Sequence, residues 1–185
     1  MKKLLIIVLL LFLPSTVGQA YEQPVAGITV PIETLQQSQI AIKRDVPIPF
    51  FIYQVYTFAI CQEYEVDYDL VLAIMDGESS GKVKAFNTNK DGTHDKGLMQ
   101  INSFNYEWLE EELGVTDFYN PYQNIHCGVF MIADLMDRHT DLHTVLMSYN
   151  MGEKRTRELH REGVYTSKYS RKVMGVYKKL KEVKG

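Results

Sequence analysis

Asp69-Leu70-Val71-Leu72-Ala73-Ile74-Met75-Asp76-Gly77-Glu78 has the period of a helix that buries one stripe, made of Leu70, Val71, Ile74 and Met75. Glu78 follows Ile74 by one helical turn and falls on that stripe. A carboxyl so placed is aimed at apolar neighbours rather than at water. Desolvation disfavours its charged form and raises its pKa. An acid that stays protonated near neutral pH is what general acid catalysis needs. The periodicity also fits a surface Glu at a frayed last turn, with Ser79, Ser80 and Gly81 supplying the stop. The residues downstream bear on the choice.

Beyond Glu78 runs a long polar loop, residues 80–96, holding Asn87, Asn89, Asp91, Gly92 and Asp95. Its lack of helical period makes an irregular lobe, with room for a small β-hairpin near 86–98. Gly97-Leu98-Met99-Gln100-Ile101-Asn102 follows it. The remainder reads as helices. Residues 49–64 form a first one, rich in aromatics, and Asp67 caps the second. Asn102 or Ser103 starts a third that Gly114 stops. Asn120 caps a fourth with Pro121 in its first turn, burying Ile125, Gly128, Val129, Ile132 and Met136. Asp141 opens a fifth to Ser148, and a short helix near 153–162 ends at Gly163. The last helix follows Thr166, with Tyr169, Val173, Val176 and Leu180 inward. The expected class is mostly α.

The first twenty residues read as a signal peptide. Lys2 and Lys3 precede the apolar run Leu4–Leu13, Pro14 breaks it, and Gly18-Gln19-Ala20 is a small-x-small cleavage site. The run is too short to span a bilayer. Export to a periplasmic or extracellular location follows, with no stable membrane insertion after cleavage. Residues 21–46, with Pro24 and Pro31, read as a leader or linker that Pro47 and Pro49 close, leaving 47–185 as one catalytic-sized domain. Losing Lys2 and Lys3 takes the formal net charge from -3 to about -5, which argues against a nucleic-acid partner.

Cys61 and Cys127 are the two cysteines. An exported chain meets an oxidising compartment, so a disulfide is expected, against the alternative of two buried thiols. His139 and His143 have the i, i+4 spacing of metal ligands, but no HExxH is present and Asp141 breaks the face, so no metal and no cofactor is expected. The basic run Lys168 to Lys184 reads as the solvated face of a terminal helix.

Four short motifs occur in order: Glu78-Ser79, then Gly97-Leu98-Met99-Gln100, then Asn120-Pro121-Tyr122-Gln123-Asn124-Ile125 with Gly128, then Tyr149-Asn150-Met151-Gly152. In this order and spacing they resemble the lytic transglycosylase catalytic domain, over roughly residues 50–180. The stretch Asp95–Asn102 and the cysteine pair look closest to small exported members that accompany secretion, pilus and conjugation machines. The resemblance implies a goose-type lysozyme-like fold and peptidoglycan glycan strands as partner and substrate. It implies Glu78 as catalytic acid and base, with Met99 and Gln100 lining the glycan groove. It also implies Tyr149 with its hydroxyl near the Glu78 carboxyl, Asn150 against a sugar N-acetyl group, and Ser79 fixing the turn after the catalytic helix. Gly81, Lys82 and Val83 depart from the family's usual x-aromatic-Asn-Pro continuation, and Met151 stands where Ala is common.

Hydrolytic glycosidases generally use two carboxyl groups. Glu78 has an evident place. Asp76 lies on the opposite helix face, and Asp91 and Asp95 sit in the loop. With one group the economical chemistry is intramolecular. Glu78 protonates the glycosidic oxygen of the MurNAc-GlcNAc bond, then takes the proton from the C6 hydroxyl, closing a 1,6-anhydro ring. A hydrolytic muramidase, with Asp91 or Asp95 holding water, and a non-catalytic glycan-binding module of an envelope machine stay open as alternatives.

Overall fold

A computed structural model describes residues 51–182. The expected signal peptide over 1–20 and leader over 21–46 lie outside the described residues. Helix α1 spans Phe51–Glu63 and α2 Tyr68–Ser79. A three-stranded antiparallel sheet follows, in the order β1 (Phe86–Thr88), β2 (His94–Lys96), β3 (Ile101–Asn102). Ser103–Asn105 make one 3-10 turn. Then come α3 (Tyr106–Leu113), α4 (Pro121–Arg138), α5 (Leu142–Met151), α6 (Glu153–Arg161) and α7 (Lys168–Glu182). The mostly α class with a hairpin in the loop lobe is as the sequence indicates.

Helix α2 forms where expected because Asp67 accepts hydrogen bonds from the Asp69 and Leu70 amides, supplying two of the first turn's free donors. Its burial exceeds the sequence reading. Leu72 and Ala73, off the stripe, are as fully buried as Ile74 and Met75. A stretch apolar on every side, here Leu70–Met75, belongs at the centre of a fold, and α1 and α7 pack on this helix. Lys181 of α7 reaches back to Asp67 and lies 3.5 Å from buried Asp69, pinning the far end of α7 to the start of α2. At the other end Gly77 lets α7 approach: a Cβ there would sit 3.0 Å from Val173 Cγ2.

Helix α4 is capped as expected, with Asn120 Oδ1 accepting from the Tyr122 and Gln123 amides and Pro121 in the first turn. Of its predicted stripe, Ile125, Gly128, Val129 and Ile132 are buried, whereas Met136 is half-buried. Asp141 caps α5, but the helix runs on to Met151 instead of stopping at Ser148. No Gly or Pro interrupts Ser148–Met151, so nothing ends the helix before Gly152.

Cys61 and Cys127 do not form the expected disulfide. Both are buried free thiols in the common core. Burial raises both thiol pKa values, Cys127 to about 12, so they serve as small apolar side chains. His139 and His143 turn to different partners, Glu153 on α6 and Ser170 on α7.

Candidate active site

A cleft of about 1030 Å³ opens between the sheet lobe and the helices, lined among others by Glu78, Asp95, Gln100, Tyr149 and Asn150. Glu78 sits in the last turn of α2, where Ser79 Oγ donates to the Met75 carbonyl and accepts from the Gly81 amide. Ser80 closes the helix in the left-handed region at φ 50°. Ser79 itself is buried and is not part of the cleft wall.

Burial is the main influence on the Glu78 carboxyl and raises its pKa. A hydrogen bond donated by the Tyr169 hydroxyl at 2.5 Å opposes it, the Asp95 charge adds to it, and Lys172 opposes it weakly. The net result is a pKa of about 7. The resemblance places the Tyr149 hydroxyl near Glu78, but the hydrogen bond to the carboxyl comes from Tyr169. Tyr149 donates its hydroxyl to the Met99 carbonyl at 2.8 Å, although it lines the same cleft and feels the Glu78 charge. Tyr169 is present in the sequence as an inward residue of α7, one turn before Val173. Nothing in that spacing separates a packing ring from a polar contact.

Besides the Tyr149 bond to Met99, the Gly97–Asn102 segment is held by Asn124 of α4, which is fully buried. Its Oδ1 accepts from the Met99 amide at 2.8 Å, and its Nδ2 donates to the carbonyls of Lys96 at 2.8 Å and Phe118 at 3.0 Å. Gly97 is required beside it: φ is +77°, and a Cβ would lie 2.4 Å from Asn124 Nδ2. This lock turns Met99 and Gln100 to opposite destinations. Met99, expected in the groove wall, is fully buried against Gly128. Gln100 does line the cleft, at φ 48°, a left-handed conformation costly for a residue with a Cβ. Its amide and its Nε2 both donate to the Gly97 carbonyl, at 3.2 and 2.9 Å. Asn124→Leu keeps the branched outline of the side chain but leaves an amide and two carbonyls without their partner. It is expected to destabilise the fold by about 3–5 kcal/mol, measurable by urea unfolding.

Of the two loop carboxylates, Asp91 is exposed and bonds the Thr93 amide and hydroxyl, which hold its pKa below the usual range. Asp95 is built in more firmly. Asn102 Nδ2 donates to its Oδ1 at 2.7 Å, and Asn87 and Asn89 Nδ2 donate to its Oδ2 at 3.1 Å each. The hairpin register places Asn87 opposite Asp95 on β1 and Asn102 opposite it on β3. The sequence marks Asn87, Asn89, Asp91 and Asp95 as loop polars and Asn102 as the start of a helix, and does not show that Asn87, Asn89 and Asn102 converge on Asp95.

A proton donor poised near neutrality, in a cleft that is large enough for several sugar rings and is lined by a second carboxylate, is the equipment of glycosidic bond cleavage. The family profile described as Transglycosylase SLT domain matches residues 56–170. The chain belongs to that family. This lytic transglycosylase is 30% identical over 123 residues to "Invasion protein IagB" of Salmonella typhi, covering 65% of this chain and 73% of that protein. It is 32% identical over 112 residues to the "Transglycosylase" of Enterobacteria phage PRD1, covering 60% of this chain and 38% of the phage protein. An inactive mutant of the lytic transglycosylase Slt from Pseudomonas aeruginosa superposes with a TM-score of 0.54 at 17% identity, over 77% of this chain and 26% of that one. That likeness gives the transglycosylase its lysozyme-like fold. No helix among the described residues is long and apolar enough to cross a membrane.

Proposed function

We propose that this peptidoglycan lytic transglycosylase cuts the MurNAc-GlcNAc β-1,4 bond with Glu78 acting first as acid and then as base, leaving 1,6-anhydro ends. The observation that carries the reading is the Glu78 carboxyl, held at a pKa of about 7 in the cleft wall. At that value it donates to the departing oxygen, and the resulting carboxylate is basic enough to take a proton back. The Tyr169 hydroxyl accompanies both states by donating to Oε1, so the carboxylate formed in the first step is not left bare. Gln100 and Asn150 both line the cleft and offer amides for the sugar's polar groups.

Asp95 acts as a fixed negative charge beside the oxocarbenium-like sugar. A carboxylate has about four acceptor sites, and the three asparagine amides take three of them. Such a group stabilises positive charge without reorganising and has little capacity left to hold and activate water. The C6 hydroxyl of the bound sugar is tethered next to the reacting carbon, and its effective concentration exceeds that of a water that must be recruited. This favours ring closure over hydrolysis.

The expected setting is the periplasm or cell exterior after signal-peptide cleavage, in local cell-wall remodelling for a secretion, pilus or conjugation apparatus. The Lys2–Ala20 pattern supports the first, and a relative named an invasion protein is consistent with the second. Digestion of purified peptidoglycan tests the chemistry. New ends should be lighter by one water than hydrolytic ends in mass spectra; mainly reducing-end N-acetylmuramic acid would reject the transglycosylase step and leave Asp95 to be tested as a water-holding base.

A further inference from the structure

We infer that Phe104 is a stacking platform for the apolar face of an N-acetylhexosamine ring in the bound glycan, away from the bond that is cut. The inference rests on the glycan-cleaving reading of the cleft. Phe104 is 84% exposed, the most exposed of the large hydrophobic side chains described, and it belongs to the wall of the same cleft as Glu78. Scattered exposed hydrophobics are normal on a protein surface and need no explanation. Two others differ from it, however: Phe86 and Tyr165 lie against the rings of His94 and His160. Among the described residues no ring lies against Phe104.

Its backbone is also fixed. Asn102 Oδ1 accepts from the Phe104 amide at 2.8 Å, and the same Asn102 side chain donates through Nδ2 to Asp95 and Thr93. The 3-10 turn carrying Phe104 is thus tied to the carboxylate proposed to face the reacting sugar, so a ring on Phe104 and a ring beside Asp95 are held in register. An exposed phenyl face on a rigid turn suits the axial C–H groups of a pyranose. The polar rim of that ring then meets the side chains of the surrounding wall, where Asn105 and Asn87 also lie. A flat apolar surface flanked by a few oriented polar groups is the usual composition of a site that fixes a small ring.

The test uses the full chain and its single tryptophan, Trp108, which lines the cleft and reports binding by fluorescence. Peptide-free glycan strands are the ligand, and KM and kcat are measured alongside. Phe104→Ala should raise KM and the dissociation constant roughly 3- to 10-fold with kcat within about twofold, the scale of one aromatic contact. Phe104→Tyr should restore both, and Phe104→Leu should not, since it offers an apolar side chain without a ring face. Being exposed, none of these should move the thermal midpoint by more than about 1 °C. Unchanged binding in Phe104→Ala, or full rescue by Phe104→Leu, would overturn the platform. Binding is titrated in parallel on the Glu78→Gln background. A wild type that binds strands but cleaves none would count against the reaction assigned above while still reading Phe104.

Discussion

Glu78→Gln removes glycan cleavage, by about 10²–10⁴-fold or more, the range expected on losing a positioned proton donor. The substitution is close to isosteric, and the amide oxygen can still accept from Tyr169, so the cleft keeps its shape. The same change should raise stability, with a pH dependence whose sign follows from the shift. The folded pKa, about 7, lies above the ordinary 4.5. Below 4.5 the carboxyl is protonated in both states and contributes no penalty. Between about 4.5 and 7 the unfolded chain ionises while the folded protein keeps the proton, so stability falls through that window and levels off above about 7, at a total cost on the order of 3 kcal/mol. Thermal midpoints of wild type and Glu78→Gln should coincide near pH 4 and separate by several degrees at pH 8, the variant being higher. The activity of the wild type should fall as pH passes about 7 and the acid is lost. A mutant with full cleavage, or one less stable at pH 8, contradicts the assignment.

The second large effect is expected from Asp95→Asn. The change puts an amide where a carboxylate oxygen accepted from Asn87 and Asn89, or from Asn102, so donors face donors and the fixed charge disappears. Loss of a preorganised electrostatic group of this kind costs about 10²–10³ in kcat. A purely structural role would also lower activity, so a further readout is needed. Asp95 raises the Glu78 pKa; without its charge, the limb of the pH–rate profile governed by Glu78 should move to lower pH. Substrate affinity should change far less than kcat. An unshifted limb would mean that Asp95 shapes the hairpin and no more, and an enzyme of full activity would remove it from the mechanism.

Local chemistry made much of this site legible. Asp67, Asn120 and Asp141 are helix caps because a short acceptor before an apolar period has few other uses, and all three cap helices in the structure. Glu78 stands out on its stripe for the same kind of reason: one residue breaks the pattern of its own helix. The polar loop that lacks a helical period becomes a hairpin lobe. The resemblance carried by four short motifs names the family before any contact is known.

Other features depend on rotations and distances between elements, which no single helix period contains. Tyr149 and Tyr169 both face inward from neighbouring helices; the close approach of α7 at Gly77 is what brings Tyr169 to Glu78. Met99 and Gln100 are adjacent in sequence, and the Asn124 lock sends one into the core and the other into the cleft. Leu72 and Ala73 are buried because helices close over α2 from more than one side, not because of their own spacing. Cys61 and Cys127 share a core as thiols, since pairing depends on the direction of two side chains that the residue count does not report. Asp95 gains its asparagine clamp from strand register. Residue order was enough for the existence of the helices, their caps, the odd carboxyl and the family, though not for every helix end. Which hydroxyl bonds that carboxyl, and which second carboxylate shares its cleft, came from the tertiary structure, because they join segments whose relative placement is set by packing across the whole core.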